Sequence, residues 1–322
     1  MPLCDIPEEL YINHILPYII NIKYLMEVLS MKPRELLLDW IDYSNINLKE
    51  LAKNRNPLAM EIVKLLLNSR QVKIDWRDLS SNPAAIDIIT KQLITNPNNN
   101  PLVIYWSALS SNPAAIGLIK ANPDKFIWSY LLKNPEAMEL INPKITSNPL
   151  WIYWNTLSRN PAAMHILMAN KGRISWHDLS YNTNSEAIEL IIDGFNKNDI
   201  NIINNINWYG IACNTNPLAI ELLKKYHIHN ITDDEWNALS SNPAAIELIK
   251  STIITNPSSI NWRKLSSNPA AIELIKSMII TNPTLVNWDN LSQNPAIFKN
   301  LDDIINKRTK KYYYKYIKKW HH

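Results

Sequence analysis

One short segment recurs along this chain and limits the folds that it can adopt. The stretch Trp-Arg-Lys-Leu-Ser-Ser-Asn-Pro-Ala-Ala-Ile-Glu-Leu-Ile-Lys at 262–276 returns with few changes at 236–250 and 76–90. With tryptophan as the phase marker there are ten units, which begin at Leu48 and then at Trp76, Trp106, Trp128, Trp154, Trp176, Trp208, Trp236, Trp262 and Trp288. Successive tryptophans lie 22–32 residues apart, a spacing typical of stacked structural repeats.

Each unit predicts two short helices that are separated by an Asn-Pro pair. Trp262 and Leu265 are spaced to share one face of a first helix. Asn268 can cap the second helix through its side chain, and Pro269 suits the first helical position, where no N–H is needed. The second helix then carries an apolar stripe, formed by Ala271, Ile272, Leu274 and Ile275. The same Asn-Pro pair stands at Asn82-Pro83, Asn112-Pro113 and Asn242-Pro243.

The repeats predict an all-α fold, a right-handed α-solenoid of about ten two-helix repeats of 22–32 residues each. A hairpin this small cannot bury its own apolar face, so we expect the tryptophans to fill the layer between successive hairpins. At about 8–10 Å per helix layer, the repeats would form a rod or arc of roughly 100 Å. Some repeats exceed the shortest by four residues, about one helical turn, and the distance from Pro269 to Pro283 places that turn in the second helix.

Three repeats depart from this pattern. The repeats from Leu48, Trp176 and Trp208 have two additional residues before the Asn-Pro position. The repeat from Trp176 also has Ser185 in place of proline, and its insertion, residues 193–205, contains Gly194 and many asparagines. We expect a bend or a protruding loop at this insertion.

The repeats, residues 47–300, are preceded by residues 1–46, which predict an N-terminal helical cap for the open end of a solenoid. Its second helix should span Pro33 to Trp40. An alternative is a docking motif, because Ile6-Pro-Glu-Glu-Leu10 and Ile15-Leu16 resemble the F-box, by which adaptor proteins bind ubiquitin-ligase assemblies. The resemblance covers about 30 residues and departs from the family after Ser30. It implies partner-binding roles for Pro7, Leu10, Ile15 and Leu16.

The C-terminal segment, residues 301–322, combines basic and aromatic side chains. The last sixteen residues hold seven Lys or Arg and no acid, so most of the chain carries a net charge of −3 although the total is +4. Such a segment can track phosphates and stack on bases, can bind a protein partner, or can be a solvated helix that covers the last repeat. The candidate binding residues are Lys310, Lys311, Tyr312, Tyr313, Tyr314, Lys318 and Lys319.

No catalytic or metal-binding motif is evident. Cys4 and Cys213 are too far apart in sequence to suggest a ligand pair, and we expect unpaired thiols in an intracellular protein. His227 and His229 lie near Asp233, Asp234 and Glu235, but their spacing favours a solvated loop over a metal site. We expect no cofactor, no enzymatic activity, no small-molecule substrate and no membrane span.

The repeats resemble those of a known group of proteins. Ala121-Asn-Pro-Asp-Lys-Phe-Ile-Trp128 and the Leu-Ser-Ser-Asn-Pro-Ala-Ala-Ile segments are similar to the Asn-Pro and Trp repeats in helical repeat proteins of large DNA viruses. The resemblance covers about Leu48 to Phe298. It implies a viral protein of the host cytoplasm or the virion, whose family has largely no assigned biochemical activity. The functional hypotheses are therefore a non-enzymatic scaffold for protein interactions, an F-box-type adaptor, and a nucleic-acid-binding protein that acts through its basic tail.

Overall fold

The computed structural model describes residues 32–69, 73–95, 104–147 and 153–300. Regular structure in these residues is helical except for an isolated antiparallel bridge between Leu37 and Phe298, so the predicted all-α class is confirmed. None of the helices described has both the length and the apolar character that a bilayer crossing requires. The chain divides into two compact units, one of Met1–Asn45 with Ala296–His322 and one of Ile46–Pro295.

The first unit joins the two ends of the chain. Its described helices are Pro33–Leu36 and the 3-10 turn Tyr43–Asn45. The prediction of a helix to Trp40 is wrong, because Leu37 takes an extended conformation and pairs with Phe298. The Leu38 N–H donates to the Ile297 carbonyl at 2.8 Å, and Lys299 forms an ion pair with Asp39 at 2.7 Å.

The second unit contains the repeats, numbered 1 to 10 from Leu48 to Trp288. Their first helices are Glu50–Lys53, which is a 3-10 helix, and then Trp76–Ser81, Trp106–Ser110, Trp128–Leu131, Trp154–Ser158, Trp176–Leu179, Trp208–Cys213, Asp233–Ser241, Trp262–Leu265 and Trp288–Gln293. The second helices of repeats 1 to 9 are Pro57–Ser69, Ile86–Thr95, Ile116–Ala121, Met138–Ser147, Met164–Ala169, Ser185–Asn196, Pro217–Tyr226, Ile246–Thr255 and Ile272–Thr281. The two predicted helices are thus present in each of these nine repeats.

Short 3-10 turns complete the repeats. In repeats 2–5 and 8–10 the Asn-Pro pair begins a turn of its own, at Pro83–Ala85, Pro113–Ala115, Pro135–Ala137, Pro161–Ala163, Pro243–Ala245, Pro269–Ala271 and Pro295–Ile297. Other turns occupy connections between repeats, at Lys171–Arg173, Ile228–Asn230, Pro257–Ser259 and Pro283–Leu285. Proline fixes the backbone for such a turn and supplies no N–H that would need a partner.

The lengths of the second helices follow the predicted insertions. Ile272–Thr281 has 10 residues and Ile116–Ala121 has 6, so the additional four residues extend the helix as expected. The prediction of a protruding loop at residues 193–205 is wrong. The second helix of repeat 6 continues to Asn196, and a further helix, Ile200–Asn205, packs beside it.

The asparagine of the Asn-Pro pair has two roles. Asn268 Oδ1 accepts the Ala270 N–H at 3.0 Å, which confirms the predicted cap. Its Nδ2 donates to the carbonyl oxygens of Ser240 and Asn242 in the preceding repeat, at 3.1 and 3.0 Å. Asn268 is fully buried, so both ends of the amide are satisfied inside the protein.

This contact recurs from repeat to repeat. A buried asparagine of each repeat from 2 to 10 donates from Nδ2 to backbone carbonyls of the repeat before it; these residues are Asn82, Asn112, Asn134, Asn160, Asn182, Asn214, Asn242, Asn268 and Asn294. A serine adds a second link, since Ser266 Oγ accepts the Asn287 N–H of the next repeat at 3.0 Å.

The same bonds join the first repeat to the last. Asn54 Nδ2 of repeat 1 donates to the carbonyls of Ser292 and Asn294 in repeat 10, both at 2.9 Å. The Asn47 N–H donates to Ser292 Oγ at 2.9 Å, as Asn287 does to Ser266. The bonds between repeats therefore form a closed circuit. The expectation of a rod or arc of roughly 100 Å is wrong, because the end repeats of such a stack would lie roughly 70–90 Å apart at the usual layer spacing and could not bond to each other.

The core is built from small and aliphatic side chains at fixed positions of the repeat. In repeat 9, Leu265, Asn268 and Ala271 are fully buried. The nine tryptophans that mark the repeats are only partly buried, and some contact the connection to the following repeat, as in the stack of Trp208 on His227 at 4.3 Å. The tryptophans thus cover the interfaces between repeats without forming their centre.

Candidate interaction surface

Each first helix exposes one face, which is defined by its spacing from the tryptophan. In repeat 3, Leu109 and Ser110 are fully buried, whereas Tyr105, Ser107 and Ser111 are partly exposed. Four positions define this face: the residue before the tryptophan and the first, second and fifth residues after it. Their side chains are exposed or partly exposed in repeats 1 to 6, 9 and 10, whereas Gly210 of repeat 7 and Glu235 and Ala238 of repeat 8 are buried. We name the surface formed by these positions the first-helix belt.

The belt continues across several boundaries between repeats. The side chains at its positions bond to one another there, through the pairs Asn47 with Asp289, Gln293 with Glu50, Lys53 with Asp78, Arg159 with Asp178, Asn207 with Tyr181, and Asn261 with Asn237. Because repeats 1 and 10 are bonded in this way too, the belt also continues from the last repeat to the first.

Repeats 3 to 7 each place one tyrosine on the belt. We name this set the tyrosine arc; its members are Tyr105, Tyr130, Tyr153, Tyr181 and Tyr209. The exposed fractions of Tyr130, Tyr153 and Tyr209 are 40%, 57% and 44%, and Ile127 beside them is 42% exposed. Large rings with this exposure are typical of protein interfaces, where tyrosine contributes contact area at little cost in entropy.

Cationic side chains of the protein hold several of these rings in place. Arg77 lies 4.9 Å from the ring centroid of Tyr105, Lys133 5.2 Å from that of Tyr130, and Arg159 4.2 Å from that of Tyr181. Cation–π contacts of this length stabilise the rings and cover one face of each. The hydroxyl groups stay available for hydrogen bonds, as that of Tyr181 shows by accepting from Asn207 Nδ2 at 3.2 Å.

The arc ends at Tyr209 and Cys213, which contact each other. Burial raises the pKa of the Cys213 thiol and, as the largest cause, that of Tyr181. Interaction with Cys213 is the main cause that raises the pKa of Tyr209. The three groups therefore keep their protons at neutral pH. Gly210 lets repeat 7 pack closely against repeat 6, since a Cβ there would lie 2.9 Å from the Ser180 Cβ and from the Tyr181 ring.

Charge is distributed unevenly along the belt. The belt positions of repeats 3, 4 and 5 contain Lys133 and Arg159 and no acidic residue, and the others there are tyrosine, serine, asparagine, threonine, alanine and isoleucine. Acids occur at these positions on either side, as Asp78 in repeat 2 and Asp178 in repeat 6. Asp178 is bonded to Arg159 Nε at 2.7 Å, whereas Lys133 has no ion pair within the residues described.

The residues predicted to bind partners at the two termini all lie outside the described residues, and their roles stay predictions. They are Pro7, Leu10, Ile15, Leu16, Lys310, Lys311, Tyr312, Tyr313, Tyr314, Lys318 and Lys319. The tyrosine arc was missed by sequence reasoning. The sequence does contain a signal for the arc, because large polar and aromatic residues recur at positions of the repeat that do not follow the consensus.

The prediction of a solvated loop around His227 is wrong in part. His227 Nε2 lies 3.0 Å from Glu235 Oε2, and Glu235 is only 6% exposed. Glu235 also accepts the Thr232 N–H in a capping box, so this cluster fixes the start of a helix. His229, Asp233 and Asp234 are exposed.

The described residues contain no group of three or more His, Cys, Asp or Glu side chains that could hold a metal ion. What the belt offers chemically is a set of hydroxyl, amide and cationic donors with exposed rings between them. When the chain is compared with protein-family models, curated proteins and solved structures, none of the three comparisons gives a match.

Proposed function

We propose that the repeats form an α-solenoid closed into a ring, and that this ring is a non-enzymatic scaffold for protein–protein interactions. The observation that carries the proposal is the exposed tyrosine arc. Tyrosine and arginine are enriched among the residues that carry the binding energy of protein interfaces. Tyrosine, serine and asparagine dominate antibody binding loops, where they combine stiff aromatic area with adaptable hydrogen bonding. The arc has this composition at its belt positions from Tyr105 to Tyr209.

The location of the protein and the handedness of its solenoid belong to the same proposal. The resemblance to viral repeat proteins supports a scaffold in the host cytoplasm or in the virion, and a right-handed solenoid. The F-box-type adaptor and the nucleic-acid-binding tail depend on residues outside those described and stay predictions of the sequence.

The scaffold proposal predicts that partners are lost when the arc is truncated. The tagged full-length protein is compared with Tyr130→Ala/Tyr153→Ala/Tyr209→Ala in affinity capture from the cells that make it, with quantitative mass spectrometry. The control is Ile94→Ala/Ile254→Ala/Ile280→Ala, which removes side chains that are 73%, 83% and 78% exposed but lie on second helices. We expect captured proteins to be retained by the control and depleted at least fivefold in the tyrosine variant. Equal capture by the two variants, or no specific capture at all, would count against the scaffold.

A further inference from the structure

The tyrosine arc has features that select one class of partner. We propose that repeats 3 to 6 bind an extended, acidic peptide segment of another protein, with its carboxylates at Lys133 and Arg159. This inference rests on the proposed scaffold function and identifies the chemistry of its ligand.

The first step of the argument is charge. Lys133 is exposed, has no ion pair within the described residues, and stands in a stretch of the belt without acids. Arg159 uses its Nε for Asp178, and its guanidinium carries further N–H donors. A ligand carboxylate at Lys133 would meet no acid at the belt positions of repeats 3 to 5, and one at Arg159 would share the guanidinium with Asp178 of repeat 6. Charge complementarity of this kind determines the choice of partner.

The second step is geometry. Repeats 3 to 6 comprise three steps of about 8–10 Å each, or roughly 25–30 Å. An extended peptide covers that distance in about eight or nine residues. Its backbone carbonyls and N–H groups are free, since extended chains have no internal hydrogen bonds, and they can pair with the donors and acceptors of Ser107, Ser111, Ser129, Asn155, Thr156 and the tyrosine hydroxyls.

Single-stranded nucleic acid is the alternative that uses the same kinds of residues, and two observations disfavour it. Bases stack on open aromatic faces, but Arg77, Lys133 and Arg159 already cover one face each of Tyr105, Tyr130 and Tyr181. A phosphate backbone also requires cations in close succession. The belt positions of repeats 3 to 5 provide two.

The experiment begins with a selection of random 12-residue peptides on the full-length protein. The most enriched sequence is then synthesised with a fluorescent label, together with a version in which Asn and Gln replace its Asp and Glu, and binding is measured by anisotropy. We expect enrichment of Asp and Glu, and a loss of affinity of at least tenfold for the neutral version. A selection that yields neutral or basic peptides, or no peptide, overturns the inference.

Matched charge reversals locate the site. Lys133→Glu and Lys264→Glu change the net charge equally, and both lysines are exposed on the belt, but Lys264 lies in repeat 9, away from the tyrosine arc. We expect Lys133→Glu to weaken peptide binding at least tenfold and Lys264→Glu to change it by less than twofold. Equal losses would indicate attraction to net charge alone and overturn the inference.

A labelled oligouridylate of twelve nucleotides is tested in parallel. If it binds and Lys133→Glu abolishes that binding, the arc is a nucleic-acid site and the peptide inference falls. The scaffold proposal is judged separately, by the capture experiment. Proteins that are lost with the tyrosines but bind through neutral segments would leave the scaffold standing and remove only the acidic ligand.

Discussion

Asn268 uses the two ends of one side-chain amide for two different purposes. Its Oδ1 caps the turn that follows, and its Nδ2 holds the preceding repeat. In the irregular repeats a second asparagine takes over the cap, and it adds one further bond to the preceding repeat, as Asn184 Nδ2 does to the Pro161 carbonyl. In repeat 6, Asn182 donates to the carbonyls of Ser158 and Asn160, while Asn184 accepts the Glu186 N–H. The two additional residues of these repeats are thus a second asparagine and its spacer.

This division allows the tasks to be tested one at a time. Asn182→Asp removes two buried donors and brings a carboxyl group against two carbonyl oxygens, so we expect a loss of about 2–4 kcal/mol in the free energy of unfolding. Asn184→Asp keeps the acceptor and places a favourable charge at a helix N-terminus, so we expect a change within about 1 kcal/mol, although its bond to the Pro161 carbonyl is lost. Urea titrations measure both, and equal losses would contradict the division.

The cap could be predicted from the sequence, because it depends on residues two positions apart. The bond to the preceding repeat could not, since it depends on which carbonyls of a distant segment come within reach. One signal was nevertheless available. Asn54, Asn182 and Asn214 keep the distance of six residues from Leu48, Trp176 and Trp208, even where the cap has moved to a later residue. An asparagine that stays six residues from the start of its repeat, although the capped helix now begins later, must have a role besides capping.

At the scale of elements, the insertion after repeat 6 shows how composition can mislead. Its glycine and asparagines predicted a loop, because these residues favour turns. Asn198 does adopt a positive φ of 53°, but it only reverses the chain between two helices. Gly194 lies where Ile202 of the added helix packs, and a Cβ there would come within 2.5 Å of the Ile202 Cδ1. The glycine is needed for close packing and does not interrupt its helix.

The close approach predicts an effect whose sign depends on the background. Gly194→Ala should destabilise the wild-type protein by about 1–2 kcal/mol, because the clash outweighs the helix propensity gained. In an Ile202→Ala background the clashing atoms are gone, and the same substitution should be neutral or stabilise by up to about 1 kcal/mol. Thermal and urea unfolding of the four proteins gives the coupling energy. Additive effects would show that the two residues do not meet.

At the scale of the whole set of repeats, the number and pairing of repeats were evident from the sequence, but the bonds between the first and the last repeat were not. Stacked repeats present complementary surfaces at their two ends, so the last repeat can always bond to the first if the curvature brings them together. Curvature results from small rotations at each interface, and these are determined by side-chain packing that a repeat spacing does not report. The predicted N-terminal cap, residues 1–46, lies mostly outside the described residues and stays a prediction, but the bond between Asn54 and Ser292 leaves no open end at repeat 1 for it to cover.

If repeats 1 and 10 are neighbours, a cross-linking result is expected that an open stack of repeats cannot give. Asn47 Nδ2 lies 2.8 Å from Asp289 Oδ1, so cysteines at these positions should be joined within one chain by a short bismaleimide, in a background with Cys4 and Cys213 replaced by serine. In an open stack, nine layers of about 8–10 Å would separate them by roughly 70–90 Å.

The control pairs Asn47→Cys with Asn155→Cys, an exposed belt position in repeat 5. Peptide mapping of the monomer band should find the first cross-link and not the second. A cross-link of the first pair that forms only between molecules would mean that the ring is open, because the joined repeats would then belong to different chains.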